Sequence, residues 1–152
     1  MTLKIDKTDK KLLSIMQEDA SRSVADLADQ CAISKSACWR RIQKLEAAGV
    51  IKQRVTLLDP KKIGLGLTVW ISIRTNQHNA EWADNFSHVV QDVSGVLEVY
   101  RLGGQIDYLI KAVVADMHDY DNLYQQLIKA DLFDVTASFV MEEIKFTSVL
   151  PV

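Results

Sequence analysis

The polar and apolar positions of this chain repeat with two periods, helical at first and strand-like later. Ile5, Asp9, Leu12, Leu13 and Met16 trace one helical stripe, apolar at four of its five positions. They predict a helix to about Asp19, capped by Asp6 with Asp9 at its third position. Val24, Leu27, Ala28 and Cys31 form a shorter stripe behind Ser23, and Asp26 follows that cap by three residues. After a tight connection at Ala32-Ile33, Cys38, Ile42, Leu45 and Ala48 share the face of a third helix, with Ser34 as N-cap and Gly49 beyond its end. Three short helices, the last two joined by a few residues, predict a helix-turn-helix. Val50 to Leu57 is rich in β-branched residues and predicts a strand or wing, and Asp59-Pro60, Gly64 and Gly66 mark a loop.

The period then changes. Leu67 to Thr75 alternates Val69, Ile71 and Ile73 against Trp70, Ser72 and Arg74, which predicts a strand. Helices are predicted over Glu81–Val93 and from the Asp116 cap through Lys129. Further strands are predicted over Val96–Leu102, Asp107–Val114 and Asp134–Thr147. The order β-α-β-β-α-β calls for a four-stranded antiparallel sheet with both helices on one face. The fold class is therefore α+β: an N-terminal helix-turn-helix (winged-helix-like) domain over 1–58, a linker over 59–66 and a C-terminal ferredoxin-like domain over 67–152. On the second and third strands both parities are apolar, Tyr100, Leu102, Leu109 and Val113 against Leu97, Val99, Tyr108, Ile110 and Ala112. Two helices cover one face only, so the other is expected to pack against a second copy of the chain.

Charge sharpens this division. Residues 1–62 carry 13 Lys and Arg against 8 Asp and Glu, whereas residues 63–152 carry 5 against 12. A basic first third on an acidic remainder suggests that only the first part meets a polyanion. The third helix carries Lys35, Arg40, Arg41 and Lys44 mostly off its apolar stripe. By itself it fits a solvated face as well as a DNA reader; the helix before it and the charge split favour double-stranded DNA. Arg41 and Lys44 are then placed at phosphates, and Ser36, Arg40 and Gln43 toward base edges. Lys35 lies on the first turn, Ser23 could offer its backbone N–H to a phosphate, and Trp39 is expected mainly to pack.

The 48% hydrophobic and 25% charged composition is that of a globular protein. With no apolar run of about 20 residues and no apolar N-terminal region, a cytoplasmic location and no membrane partner are expected. Cys31 and Cys38 have no metal-ligand spacing and fall on apolar helical positions, so buried reduced thiols and no metal are expected. No cofactor is implied. His78, His88 and His118 lie away from the Gly103 loop, and paired carboxylates, a nucleophile motif and a phosphate loop are all lacking, so no enzyme is expected.

The ordered set Ser34…Cys38-Trp39-Arg40-Arg41-Ile42-Gln43-Lys44-Leu45-Glu46…Gly49-Val50-Ile51, then Leu58-Asp59-Pro60…Gly64, then β-α-β-β-α-β with Gly103…Asp107-Tyr108 between the central strands, resembles the Lrp/AsnC family of bacterial and archaeal transcription regulators. The resemblance covers essentially the whole chain. It implies a DNA-binding regulator whose sheets pair into homodimers, which assemble into tetramers or octamers, and whose DNA affinity or assembly responds to a small effector, an amino acid bound between dimers near Gly103–Tyr108. Where many members carry prolines at the start of the reading helix, this chain has Lys35 and Ala37. The effector residues expected are Gly103, Gly104, Gln105, Asp107 and Tyr108, with Asp107 on an α-ammonium group, completed by Thr136 and Ser138. A plain hairpin turn would carry the same glycines. The alternatives are an architectural DNA-binding protein without effector and, on architecture shared with relatives that resemble tetrapyrrole decarboxylases, an enzyme.

Overall fold

The computed structural model describes residues 3–152. The chain divides into two compact units. One holds the residues up to Leu57 together with Lys145–Val152, and the other holds Leu58–Ile144.

In the first unit, helices α1 (Lys7–Glu18), α2 (Val24–Cys31) and α3 (Lys35–Ala47) follow the three stripes. Each begins at a polar cap. Asp6 and Asp9 exchange backbone-to-carboxylate hydrogen bonds in a full capping box, and Ser23 and Ser34 accept from Asp26 N–H and Ala37 N–H. Ala32, in the left-handed region at φ 54°, ends α2 and turns the chain into α3. Leu12, Leu27, Ala28, Cys38, Ile42 and Leu45 form the centre of the core. Small Ala28, 1% exposed, lies among the larger core side chains.

Two expectations fail here. Ala48 is exposed, because it lies at the α3 C-cap beyond the last buried turn. The wing is absent as a strand: Val50–Leu57 lies in no regular element, with Val55 and Leu57 about 60% exposed. A strand needs a neighbour to satisfy its N–H and C=O groups, and none of the described residues supplies one.

The second unit opens with a short 3₁₀ turn, Pro60–Ile63, capped by Asp59 and closed by Gly64 at φ 83°. Then come β1 (Leu67–Arg74), α4 (Ala80–Asp92), β2 (Val96–Arg101), β3 (Tyr108–Val114), α5 (Met117–Leu127) and β4 (Asp134–Phe139). The sheet order is β2-β3-β1-β4, every pair antiparallel, as the ferredoxin-like expectation requires. Val69, Ile71 and Ile73 of β1 and Ile110 and Ala112 of β3 are 0% exposed beneath Trp82, Phe86 and Val90 of α4 and Leu123 and Leu127 of α5. Trp82 stacks on Phe86 at 5.1 Å, and Tyr108 packs against Phe86 at 4.6 Å.

A register shift between Val96 and Glu98 bends β2 and takes Leu97 out of the ladder. Strand β4 ends eight residues before the expected Thr147, although its inward residues Val135, Ala137 and Phe139 alternate as predicted. One further bond, Val140 N–H to the Thr68 carbonyl, closes the ladder. The final residues leave the sheet and group with the first unit. There the Gln17 amide accepts from Leu150 N–H at 2.7 Å and donates to the Leu150 carbonyl at 3.0 Å. That is the two-point contact of a β-ladder supplied by one side chain.

Candidate nucleic-acid interface and effector loop

Helix α3 seats one stripe in the core and leaves the other bare. Cys38, Ile42 and Leu45 are at most 2% exposed, while Lys35, Ser36, Trp39, Arg40, Gln43 and Lys44 are all exposed. Trp39 and Arg40 lie three and four residues after Ser36, and Gln43 four and three after them, so the four form one continuous outward face. Trp39 does not pack as expected: at 57% exposed, it stands on this face. The core positions around it are already filled by Cys38 and Ile42. The Gln43 amide donates to Glu46 at 3.1 Å, and Glu46 also accepts from Arg54 at 2.8 Å. Ser23 keeps its hydroxyl in the α2 cap, accepting from Asp26 N–H and donating to the Asp26 carboxylate at 2.7 Å.

Arg41 is placed differently from its neighbours. Its guanidinium reaches α1 and donates to Asp6 at 2.8 Å and Asp9 at 2.6 Å. Asp9 is 6% exposed. The Asp9 N–H and then the Arg41 guanidinium hold the Asp6 carboxyl below its usual value, and the two carboxylates raise Arg41 in turn. Sequence reasoning missed Asp6 and Asp9 as its partners. More than 30 residues separate them from Arg41, and only the packing of α1 near α3 brings them together. Cys31 and Cys38 are free and buried, and burial pushes both thiols upward.

In the second unit, Gly103, Gly104, Gln105, Asp107 and Tyr108 cluster at the β2–β3 turn. Gly104, at φ 146°, adopts a backbone that side-chain-bearing residues avoid. Leu102 N–H bonds the Asp107 carbonyl, Asp107 N–H bonds the Ile73 carbonyl, and Asp107 Oδ2 accepts from Thr75 N–H at 2.9 Å. The turn is thereby pinned to the end of β1. A cavity of about 260 Å³ opens beside it, lined by Thr75, Gln77, His78, Arg101, Asp107 and Tyr108 among others. Arg101 faces it with no salt bridge among the described residues, so the cavity offers both an anion and a cation. Thr75, Gln77, His78 and Arg101 were not legible as site residues, and His78 was expected to lie away from the Gly103 loop whose cavity it lines. The first three lie in a polar loop with no motif; the only hint of Arg101 was a charge at a strand end just before Gly103-Gly104.

Thr136 and Ser138 do not join this cluster within one chain. On β4, the sheet edge opposite β2, they pair with Ser72 and Trp70 of β1 and lie on the face away from the helices. Tyr108 lies on the helix face, against Phe86. The open face is less apolar than the alternation suggested. Glu98 bonds Tyr100 and Lys111, and the Lys111 ammonium sits 5.6 Å from the Trp70 ring centroid. Among the described residues no group of three His, Cys, Asp or Glu could hold a metal ion, and no helix is long and apolar enough to cross a membrane.

Two family models match the chain, a winged helix-turn-helix DNA-binding domain over residues 5–52 and the Lrp/AsnC ligand binding domain over residues 68–150. A glutamate uptake regulatory protein of Zymomonas mobilis is 50% identical over 152 residues, covering 99% of this chain and 93% of the relative. The DNA-binding transcriptional activator DecR of Escherichia coli is 43% identical over 150 residues, covering 97% and 99%. Among solved structures, a transcriptional regulator from Neisseria meningitidis in complex with L-Met superposes with a TM-score of 0.91 at 33% identity, covering 97% of each chain.

Proposed function

The chain belongs to the Lrp/AsnC family of DNA-binding, effector-modulated transcription regulators, and from that premise we propose how its residues divide the work. Lys35, Ser36, Trp39, Arg40, Gln43 and Lys44 form the DNA-reading surface, with Ser23 at the start of α2 offering backbone N–H to a phosphate. The observation that carries this reading is the bare face of α3 opposite a stripe sealed in the core. Lys44 and Lys35 add charge at phosphates, whereas Arg40 and Gln43 have the donor geometry that matches guanine and adenine edges. The DNA-binding domain spans 1–58, with a linker at 59–66 and an effector and oligomerisation domain after it.

The effector is an amino acid. Asp107 keeps one carboxylate oxygen for its ammonium group, Arg101 can accept its carboxylate, and Gly103, Gly104, Gln105 and Tyr108 frame the loop. Thr136 and Ser138, remote from that loop in one chain, would complete the site from another copy. Homodimers built on the open sheet face would then assemble into tetramers or octamers in the cytoplasm. The protein regulates transcription and catalyses no reaction.

Sedimentation of the full chain at micromolar concentration, alone and with each of the twenty amino acids, tests the assembly. Anisotropy with duplex DNA under the same conditions tests the coupling. A strict monomer, or DNA affinity and assembly indifferent to every amino acid, would overturn this reading; the second result would favour an architectural protein without effector.

A further inference from the structure

We propose that Arg41 is the positioning residue of the reading helix: its guanidinium fixes the seat of α3 on α1 and is withheld from the DNA backbone. The inference rests on the DNA-reading role proposed for α3. Each of the two carboxylates on α1 serves twice. Asp6 gives one oxygen to Asp9 N–H at 2.8 Å and the other to Arg41; Asp9 gives one to Asp6 N–H at 3.1 Å and the other to Arg41. The cap of α1 and the side chain of α3 therefore form one closed network.

Moving Arg41 to a phosphate would leave Asp9, with a side chain 8% exposed, charged and without its counter-ion. Arg41 itself is 31% exposed, so the pair is half-buried, but removing the guanidinium still leaves the buried Asp9 carboxylate desolvated and unpaired. The apolar contacts under α3 fix which face is buried, but the hydrophobic effect is non-directional and sets no particular bond angle. A hydrogen-bonded ion pair does, since its energy depends on angle as well as distance. The neighbour Arg40, one position along, is exposed and has no such tie among the described residues. The two adjacent arginines are thus divided between a structural and a reading role.

The test uses the full chain and the variants Arg41→Gln, Arg41→Lys, Asp9→Asn and, for comparison, Lys44→Gln. Two duplexes serve as probes, one of mixed sequence and one selected by the wild-type chain from a random pool. In Arg41→Gln the ratio of selected to mixed affinity should fall roughly tenfold, the scale of one mismatched base pair. The salt slope on the mixed duplex should stay that of wild type, whereas Lys44→Gln should lose about 0.9 per bound chain. Asp9→Asn should reproduce the loss of ratio, and Arg41→Lys should recover part of it.

A slope lowered by about 0.9 in Arg41→Gln, or Asp9→Asn binding both duplexes more tightly at an unchanged ratio, would overturn the inference by making Arg41 a phosphate ligand. Thermal unfolding of the single and double variants, read without DNA, should show Arg41 and Asp9 coupled; additive effects would overturn it too. Failure of the wild type to select any duplex would instead count against the DNA-reading assignment of α3, while the coupling measurement would still decide whether the pin exists.

Discussion

Asp107 Oδ2 accepts a hydrogen bond from Thr75 N–H at 2.9 Å, tying the β2–β3 turn to the end of the strand that runs beside it. The same carboxylate is the anion of the proposed effector site. Its structural and ligand-binding roles can be separated by substitution.

Asp107→Ala should remove both roles. Thr75 is 8% exposed, and leaving its N–H without a partner should cost about 1–3 kcal/mol. Asp107→Asn keeps an acceptor for Thr75 and loses the charge. It should unfold close to the wild-type temperature yet show no calorimetric binding of the amino acid that binds wild type. Wild-type affinity in Asp107→Asn would remove Asp107 from the ammonium site.

Trp39 offers a similar separation. Because it stands out from α3, Trp39→Ala should change stability by no more than about 0.5 kcal/mol while weakening DNA binding by anisotropy. A large drop in unfolding temperature with unchanged DNA affinity would restore the packing role expected from the sequence.

The Asp6 carboxyl gives the first unit a dependence on acid. Its folded value lies below the ordinary 3.8, first through the Asp9 N–H and then through Arg41. The stabilisation is therefore full above the unfolded value and is lost as pH falls through the folded one. Unfolding temperature should drop below about pH 4, and Asp6→Asn should flatten that drop. An equally steep profile in Asp6→Asn would assign the acid sensitivity to other carboxylates.

Gly95 tests the sheet. At φ 92°, and with the Val113 carbonyl oxygen 2.7 Å from where a Cβ would sit, it has no room for a side chain. Its own carbonyl accepts from Val113 N–H at 2.9 Å, so the two strands cannot simply part. Gly95→Ala should cost roughly 1–3 kcal/mol, read as the denaturant midpoint. A midpoint within error of wild type would mean that the turn relaxes freely.

Much of the fold was legible because its signals are local. Asp6, Ser23 and Ser34 each cap the helix that follows, and a cap needs only three residues to recognise. Val69, Ile71 and Ile73 alternate over a few residues, so their strand needed no knowledge of its partner. The end of β4 was not legible in the same way: Ile144 and Phe146 look like strand residues, yet Ile144 is 91% exposed. Whether a β-branched stretch becomes a strand depends on a neighbour, and a neighbour is a tertiary fact. Val50–Leu57 fails for the same reason.

The candidate sites divide along this line too. The exposed face of α3 could be drawn from helical spacing, and the Gly103–Tyr108 turn from its glycines. Spacing could not show that Arg41 turns inward, since Arg40 and Arg41 are adjacent and chemically identical. The ferredoxin-like order already put β4 at the far edge from β2, yet grouping Thr136 and Ser138 with the Gly103–Tyr108 turn overlooked that separation. The sequence by itself determined the helices, the cores of the strands, their caps, the two-part charge and the polar stripe of α3, because these follow from interactions between near neighbours along the chain. The tertiary structure decided which arginine is held by Asp9, which Asp107 oxygen is taken by Thr75 N–H and where the apolar alternation stops. Those outcomes depend on groups distant in sequence that share one dielectric environment and one set of hydrogen bonds only after the chain has folded.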